Sequence, residues 1–250
     1  MTSFVLKIIA MITMIIDHSG DVFNPLLHEK SLIFNAVGRI AFPLFAFMVV
    51  EGYTHTSNIK KYLLRLFIFA LISEIPFYIL VVNILHADKF AMDVLFTFVF
   101  GILALLIWDF KPKKDNTDFN LTTKSFSLQD IFTWIAKFVL ISLLIIIATL
   151  LKFDYAQIGI ILVLAIHLLF KKHKIFFAFV LLALNVFNYR NVFLYKFSLG
   201  VIFILTSSII PLICMFLYNG KKGPDTKHWF YVVYPLHLII LEIIRYFFIK

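Results

Sequence analysis

Asp17 and His18 stand side by side at the end of an apolar run from Phe4 to Ile16 that only Lys7 and Thr13 interrupt. An imidazole moves protons near neutral pH, and it can also act as a nucleophile. Ionisable side chains inside so apolar a stretch are costly, so they need a partner, a watery cavity or a chemical task. Arg39, Glu74 (just before Pro76) and His237 (just after Pro235) are set in similarly apolar surroundings. Neighbours on a helix point about 100° apart, so Asp17 and His18 need not pair with each other. A carboxylate contact to Arg39 on an adjacent helix is the expected bond. Asp93, Asp154 and Glu242 fall at comparable positions in other apolar runs. Asp93 and Asp154, close to the ends of their runs, are read as interfacial charges reaching for water.

A second set is basic. Glu51, His55, Lys60, Lys61 and Arg65 fall within one short stretch, with Glu51 and His55 four residues apart on one helical face. Lys and Arg gathered at the start of a helix suit phosphate groups. Asn219-Gly-Lys-Lys-Gly-Pro224 is a basic turn whose Asn219, Lys221 and Lys222 could add donors and charge for the same anion. No P-loop or dinucleotide fingerprint is present. Glu51 and His55 have metal-ligand spacing but no third ligand nearby in the sequence, so no metal site is expected.

The elements that must position these groups are membrane helices. Of 250 residues, 62% are hydrophobic and 15% charged, with 31 Phe and 10 Tyr. Soluble domains average about 45–50% apolar and about 25% charged. About nine apolar runs fall near residues 4–22, 33–53, 60–82, 91–109, 130–151, 154–170, 174–189, 197–218 and 228–248, of lengths suited to helical spans except the short seventh, which sets the expected count at eight to ten. The expected fold is an all-α, polytopic integral membrane bundle, one domain over 1–250, with a polar cytoplasmic loop at 110–130. Proline 235 should kink the last span near its middle, at His237. The first run has no basic segment before it and no small-residue cleavage site after it, so it reads as a mature helix. The lone Cys214 excludes an intrachain disulfide.

The net charge of +9 is explained by topology rather than by nucleic acid. Lys60, Lys61, Lys111, Lys113, Lys114, Lys124, Lys171, Lys172, Lys174, Lys221, Lys222 and Lys227 all lie in connectors on one face of a nine-span bundle. The opposite face has Lys30, Lys89, Lys152, Arg190, Lys196 and Lys250. The positive-inside rule puts the first group, and the N-terminus, in the cytoplasm. Asp17 then lies roughly 20 Å along the first helix at about 1.5 Å per residue, in the outer half of the bilayer. Arg39 and Glu74 share that half, His237 falls near the midplane, and Glu51 and Arg65 sit at the inner end.

Taken in order, Leu6–His18, Gly38–Thr56, Tyr62–Arg65, Ile72–Phe77, Asp154–Tyr155, Tyr218–Gly223 and Phe230–Leu238 resemble the TraX family, which is related to multispanning membrane acyltransferases. The resemblance implies an acetyl-CoA-dependent acetyltransferase of the cytoplasmic membrane, whose namesake acetylates a pilin N-terminus during conjugative transfer. Acetyl-CoA would donate from the cytoplasmic side, its phosphates held by the inner basic groups. The acceptor, a protein amine or sugar hydroxyl, would meet the acetyl group on the other side. By the same resemblance His18 is the central histidine, as general base or as acetyl-carrying nucleophile. Asp17 or Glu74 would orient it or balance its charge, and Arg39 or His237 would stabilise the oxyanion. Two other functions fit the buried charges: a proton-coupled transporter, disfavoured by the lack of an internal repeat, and a non-enzymatic membrane assembly partner.

Overall fold

The computed structural model describes residues 1–83, 91–112, 128–224 and 229–248, which are helical almost throughout, with no strand among them. The order is α1 (Ser3–Val22), α2 (Asn24–Leu27), a 3-10 turn (His28–Lys30), α3 (Ser31–Gly38), α4 (Ala41–His55), α5 (Ile59–Asn83), α6 (Val94–Asp109) and α7 (Leu128–Leu150). Then come α8 (Ala156–Ala165), a π turn (Ile166–Phe170), α9 (Lys174–Asn188), α10 (Arg190–Tyr195), α11 (Phe197–Phe216) and α12 (Trp229–Phe248). In lipid every backbone polar group must be satisfied within the protein, which is why runs this apolar fold as helices. Among the described residues, six helical stretches are long and apolar enough to cross a membrane: Ser3–Val22, Asn24–His55, Ile59–Ile79, Leu128–Leu150, Phe197–Phe216 and Trp229–Phe247. Val94–Asp109, Ala156–Phe170 and Lys174–Asn188 are shorter apolar helices, and together these account for the nine runs of the sequence. Residues 113–127 of the polar loop lie outside the described residues, as do Lys89, Lys227 and Lys250 of the charge count.

Local signals set the helix starts. Thr2 caps α1 through Val5 N–H at 3.4 Å, and Asn58 Oδ1 accepts from Lys61 N–H at 2.9 Å at the start of α5. Asp93 Oδ1 accepts from Leu95 N–H (2.8 Å) and Phe96 N–H (3.4 Å), which fixes the start of α6 at Val94. The run expected as one helix over 33–53 is instead two, α3 and α4, joined at Arg39 and Ile40. Pro76, Pro211 and Pro235 are all carried inside continuous helices.

Helix α4 is the centre of the bundle. Nearly all of Ala41–Glu51 is buried, packed by α1, α6, α8 and α11. Phe42 stacks on Phe98 (centroids 5.6 Å) on one side and on Tyr155 (3.7 Å) on the other. Small residues let the helices approach, as packing rather than water exclusion must hold them together in lipid. An added Cβ at Gly159 of α8 would sit 2.3 Å from Thr97 of α6, and one at Gly101 would sit 3.0 Å from Val163. The segments entering α6 and α8 are also tied to each other: Met92 N–H donates to Lys152 O (3.2 Å) and Asp154 N–H to Met92 O (2.9 Å). Helix α7 is peripheral, and much of its apolar surface faces outward.

The tightest approach joins α1 and α3, where a Cβ on Gly38 would lie 2.2 Å from Asp17 Cβ. Overpacking a close contact costs about 1–3 kcal/mol, more than the roughly 1 kcal/mol an alanine gains over glycine in a helix. Gly38→Ala should therefore lower the thermal unfolding midpoint of the detergent-solubilised protein. An unchanged or raised midpoint would contradict this packing.

Candidate functional site

The break between α3 and α4 puts Arg39 inside the bundle rather than at its surface. A guanidinium offers five donors and gives up no proton, so burying it demands acceptors on several sides. Arg39 Nη2 donates to Asp17 Oδ1 and Oδ2 (2.8 and 3.2 Å), Nη1 to Tyr155 Oη (3.2 Å), and Nε to Asn35 O (3.1 Å). The expected carboxylate–Arg39 bond is therefore present, and Asp17 supplies it. Tyr155 reaches the guanidinium from a left-handed backbone conformation (φ 59°) at the start of α8, its ring held flat by Phe42. One turn beyond Asp17, Asp21 Oδ1 accepts from Asn35 Nδ2 (2.9 Å), so α1 and α3 are joined twice.

His18 points elsewhere, toward α12. Its Nδ1 lies 2.7 Å from His237 Nε2, and the two rings are within 8° of parallel. The rest of the hydrogen-bond chain assigns the protons. His237 Nδ1 lies 3.0 Å from Val233 O, and a carbonyl can only accept, so Nδ1 bears the hydrogen. In the neutral pair His237 Nε2 is then the acceptor, His18 Nδ1 the donor, and His18 Nε2 has its lone pair available. Among the described residues no hydrogen bond occupies that Nε2. Tyr234, one turn before His237, sets its ring against the imidazole at 5.6 Å between centroids.

The remaining carboxylates of this end have other duties. Glu74 Oε2 accepts from Asp93 N–H (3.1 Å), so it braces the start of α6. Asp93 corrects the sequence reading: it is fully buried as a helix cap rather than an interfacial charge, and its Oδ2 has no hydrogen-bond partner. Asp154 takes part through its backbone, its carbonyl accepting from Thr97 Oγ1. Glu242 pairs with Arg245 one turn on, at 2.7 Å.

At the basic end the expected anion set divides in two. Glu51 lies 3.3 Å from Lys171 Nζ and 3.6 Å from His55 Nδ1, so this trio joins α4 to the turn after α8. Arg65 faces the other way. Its guanidinium lies between the rings of Tyr62 (5.7 Å) and Tyr231 (5.2 Å), and its buried Nε has no partner. Lys61 and Arg65 share a groove along α5 with Leu64, Ile68 and Phe69, while Lys60 is exposed beside it. The Asn219–Gly223 turn docks on the start of α1: Asn219 N–H donates to Met1 O (2.9 Å), Ser3 N–H to Lys221 O (2.9 Å) and Phe4 N–H to Lys222 O (3.1 Å). Phe4 and Lys7 of that helix both contact the Phe230 ring, adjacent to Tyr231. The turn and Arg65 thus meet around the start of α12. Sequence reasoning overlooked Tyr155 as an Arg39 ligand and Lys171 as the Glu51 partner, because each is more than a hundred residues from its partner. It also gave no role to Asp109 and His167, which meet at 3.1 Å beside Tyr53.

A multi-pass helical membrane protein with a partly buried histidine pair and an arginine knot at one end, and a basic rim at the other, is the class these features define. The match to the TraX protein family covers residues 3–245, and the chain belongs to that family. It is also 28% identical over 249 residues, 96% of this chain and 94% of the relative, to a Dichelobacter nodosus protein named "Probable fimbrial assembly protein FimC, serogroup H1". No solved structure matches it.

Removing one partner of a fully buried ion pair costs about 3–5 kcal/mol, since the other charge is left unpaired, and the partly buried Arg39–Asp17 pair sets that as an upper bound. Arg39→Ala should therefore destabilise the bundle strongly in thermal unfolding. Adding Asp17→Asn to that variant should recover part of the loss, because the stranded carboxylate is then removed. Purely additive losses would show that the two side chains act independently.

Proposed function

We propose that this protein is a membrane-embedded acetyltransferase that transfers the acetyl group of acetyl-CoA to an amine or hydroxyl presented at the opposite membrane face. The observation that carries the reading is the His18–His237 contact, which leaves His18 Nε2 as the available base. In the reaction His18 Nε2 takes the proton of the acceptor N–H or O–H as that atom attacks the thioester carbonyl. The tetrahedral intermediate collapses, the C–S bond breaks, and the proton passes to the departing CoA sulfur. His237 is the positioning residue: it fixes the His18 tautomer and shares the positive charge that forms. Asp17, tied to Arg39, fixes the rotation of α1 so that the adjacent His18 faces α12. With Arg39 engaged by Asp17, Asn35 O and Tyr155, the donor nearest the oxyanion is the Nε2–H that His18 acquires from the acceptor.

The donor would lie at the basic end, taken as cytoplasmic. Lys60, Lys61 and Arg65, with Asn219, Lys221 and Lys222, are suited to CoA phosphates, and Glu51 with His55 would position Lys171 at the rim. From Tyr231, which covers Arg65, to His237 is roughly 9 Å along α12 at about 1.5 Å per residue, a span a pantetheine arm can bridge. The family match and the fimbrial relative favour a surface-filament subunit as acceptor, through its terminal amine.

The test uses the purified protein in nanodiscs with acetyl-CoA and a peptide bearing a pilin-like N-terminus, reading free thiol and peptide mass. Wild type should release CoA and acetylate the peptide. His18→Ala should retain CoA binding while turnover falls by roughly 10²–10⁴-fold, the usual worth of a general base. His237→Gln should lose less. Replacing Lys60, Lys61 and Arg65 by Ala should weaken CoA binding instead. Full turnover in His18→Ala, or no thiol release by wild type, would refute the proposal.

A further inference from the structure

A cleft of about 310 Å³ opens at the basic end, where α6 finishes and α7 begins, lined by Trp108, Asp109, Lys111, Asp130, Trp134 and Lys137 among others. Nothing in the acetyl-transfer reading uses it. Lys137 is only 8% exposed in an otherwise apolar helix. Its Nζ donates to Trp108 O at 2.5 Å and lies 5.0 Å from the Trp134 ring centroid. A lysine buried within a spanning helix is costly, so it marks a binding or transport function more often than it marks stability alone. Asp109 is held in place by two donors outside the cleft, Tyr53 Oη on Oδ2 (2.9 Å) and His167 Nε2 on Oδ1 (3.1 Å). The Trp108 and Trp134 rings meet edge to face at 5.5 Å, giving the cleft rigid aromatic walls. Two lysines and two aspartates thus bring both signs of charge to one small aromatic site.

We propose that this cleft binds the headgroup of a zwitterionic phospholipid with a primary ammonium, of the phosphatidylethanolamine type. Lys111 and Lys137 receive the phosphate, Asp109 and Asp130 receive the ammonium, and a tryptophan face offers cation–π contact. The volume is at the lower end of the roughly 300–1,000 Å³ of small-molecule sites, which suits a headgroup whose acyl chains stay outside. A track for those chains adjoins the cleft. Phe138 contacts both Trp108 (6.2 Å) and Trp134 (6.4 Å), yet is 57% exposed, and Ile135, Val139 and Leu143 continue the open apolar face of α7. This continuity favours a lipid over a soluble nucleotide. Trp108 and Lys111, at the end of α6, also belong to the depth of the headgroup layer.

The test is independent of acetyl transfer. Delipidated full-length protein is titrated with short-chain phosphatidylethanolamine, phosphatidylglycerol, phosphatidylcholine and diacylglycerol, with bound lipid counted by native mass spectrometry. Phosphatidylethanolamine should bind best. Lys137→Met and Asp109→Asn should each weaken it by about tenfold or more, as expected for a lost charge-assisted bond. Lys111→Gln, an exposed position that leaves the helices intact, should weaken it in the same direction. Equal binding of phosphatidylglycerol, phosphatidylcholine or diacylglycerol would overturn the proposal, because the headgroup would not be read. Displacement of the bound lipid by free CoA would overturn it too, assigning the cleft to a nucleotide.

Discussion

The structure depends on satisfying one partly buried guanidinium. Arg39 sits where a continuous helix would have run past it, and the chain breaks there so that its donors can reach Asp17, Asn35 O and Tyr155. Each acceptor constrains a different element. Asp17 brings the last turns of α1 against Gly38, close enough that no side chain fits between them. Tyr155 takes a left-handed conformation to reach Arg39, and in doing so stacks on Phe42 at the head of α4. The segment before it is paired to Met92, which carries the constraint on to the start of α6. In lipid there is little hydrophobic drive between helices, so such polar ties and close packing decide where helices sit.

That constraint is also what separates Asp17 from His18. With Asp17 turned into the arginine knot, the next side chain, about 100° around the helix, is turned away from it and meets α12. The partner found there is another histidine rather than a carboxylate, which matters for the chemistry. A carboxylate would favour the protonated imidazolium, whereas an imidazole partner whose own proton is committed to Val233 O accepts from His18 Nδ1 and, in the neutral pair, leaves the His18 Nε2 lone pair unspent. The direction of the hydrogen-bond chain is thus set by the backbone of α12.

The apolar runs and most of their limits were legible in the sequence because lipid enforces helix and length together. The exceptions have local causes. Asp93 shortens α6 from the expected start because its side chain caps Leu95 and Phe96, and Arg39 splits the second run because its donors must be met inside. The Asp17–Arg39 bond was legible from geometry alone, since a carboxylate and a guanidinium in neighbouring apolar spans have few other options. The His18–His237 contact was not: the two are 219 residues apart, and depth alone put one in the outer half and the other at the midplane. The bond from Asp93 N–H to Glu74 was not legible for the same reason. Depth can be read from a span, but azimuth around the bundle depends on which helices are neighbours.

The two ends of the bundle differ in how rigidly they hold their charges, and the difference suits opposite tasks. At the histidine end Asp17, Asn35 and Tyr155 are all bonded to Arg39, so His18, adjacent to Asp17 on α1, is carried on a preorganised frame. At the basic end Lys60 and Lys61 are exposed, and Arg65 retains an unpartnered Nε between two rings. A group that performs proton transfer gains from a frame that does not reorganise during the reaction. A group that captures a phosphate gains from donors that are not yet spent, because a saturated cation would have to break bonds before making them. The Glu51–His55–Lys171 trio is already paired, so the half of the basic end nearest α5 and α12 is where an anion has most to gain. That is also the half closest, along α12, to His237.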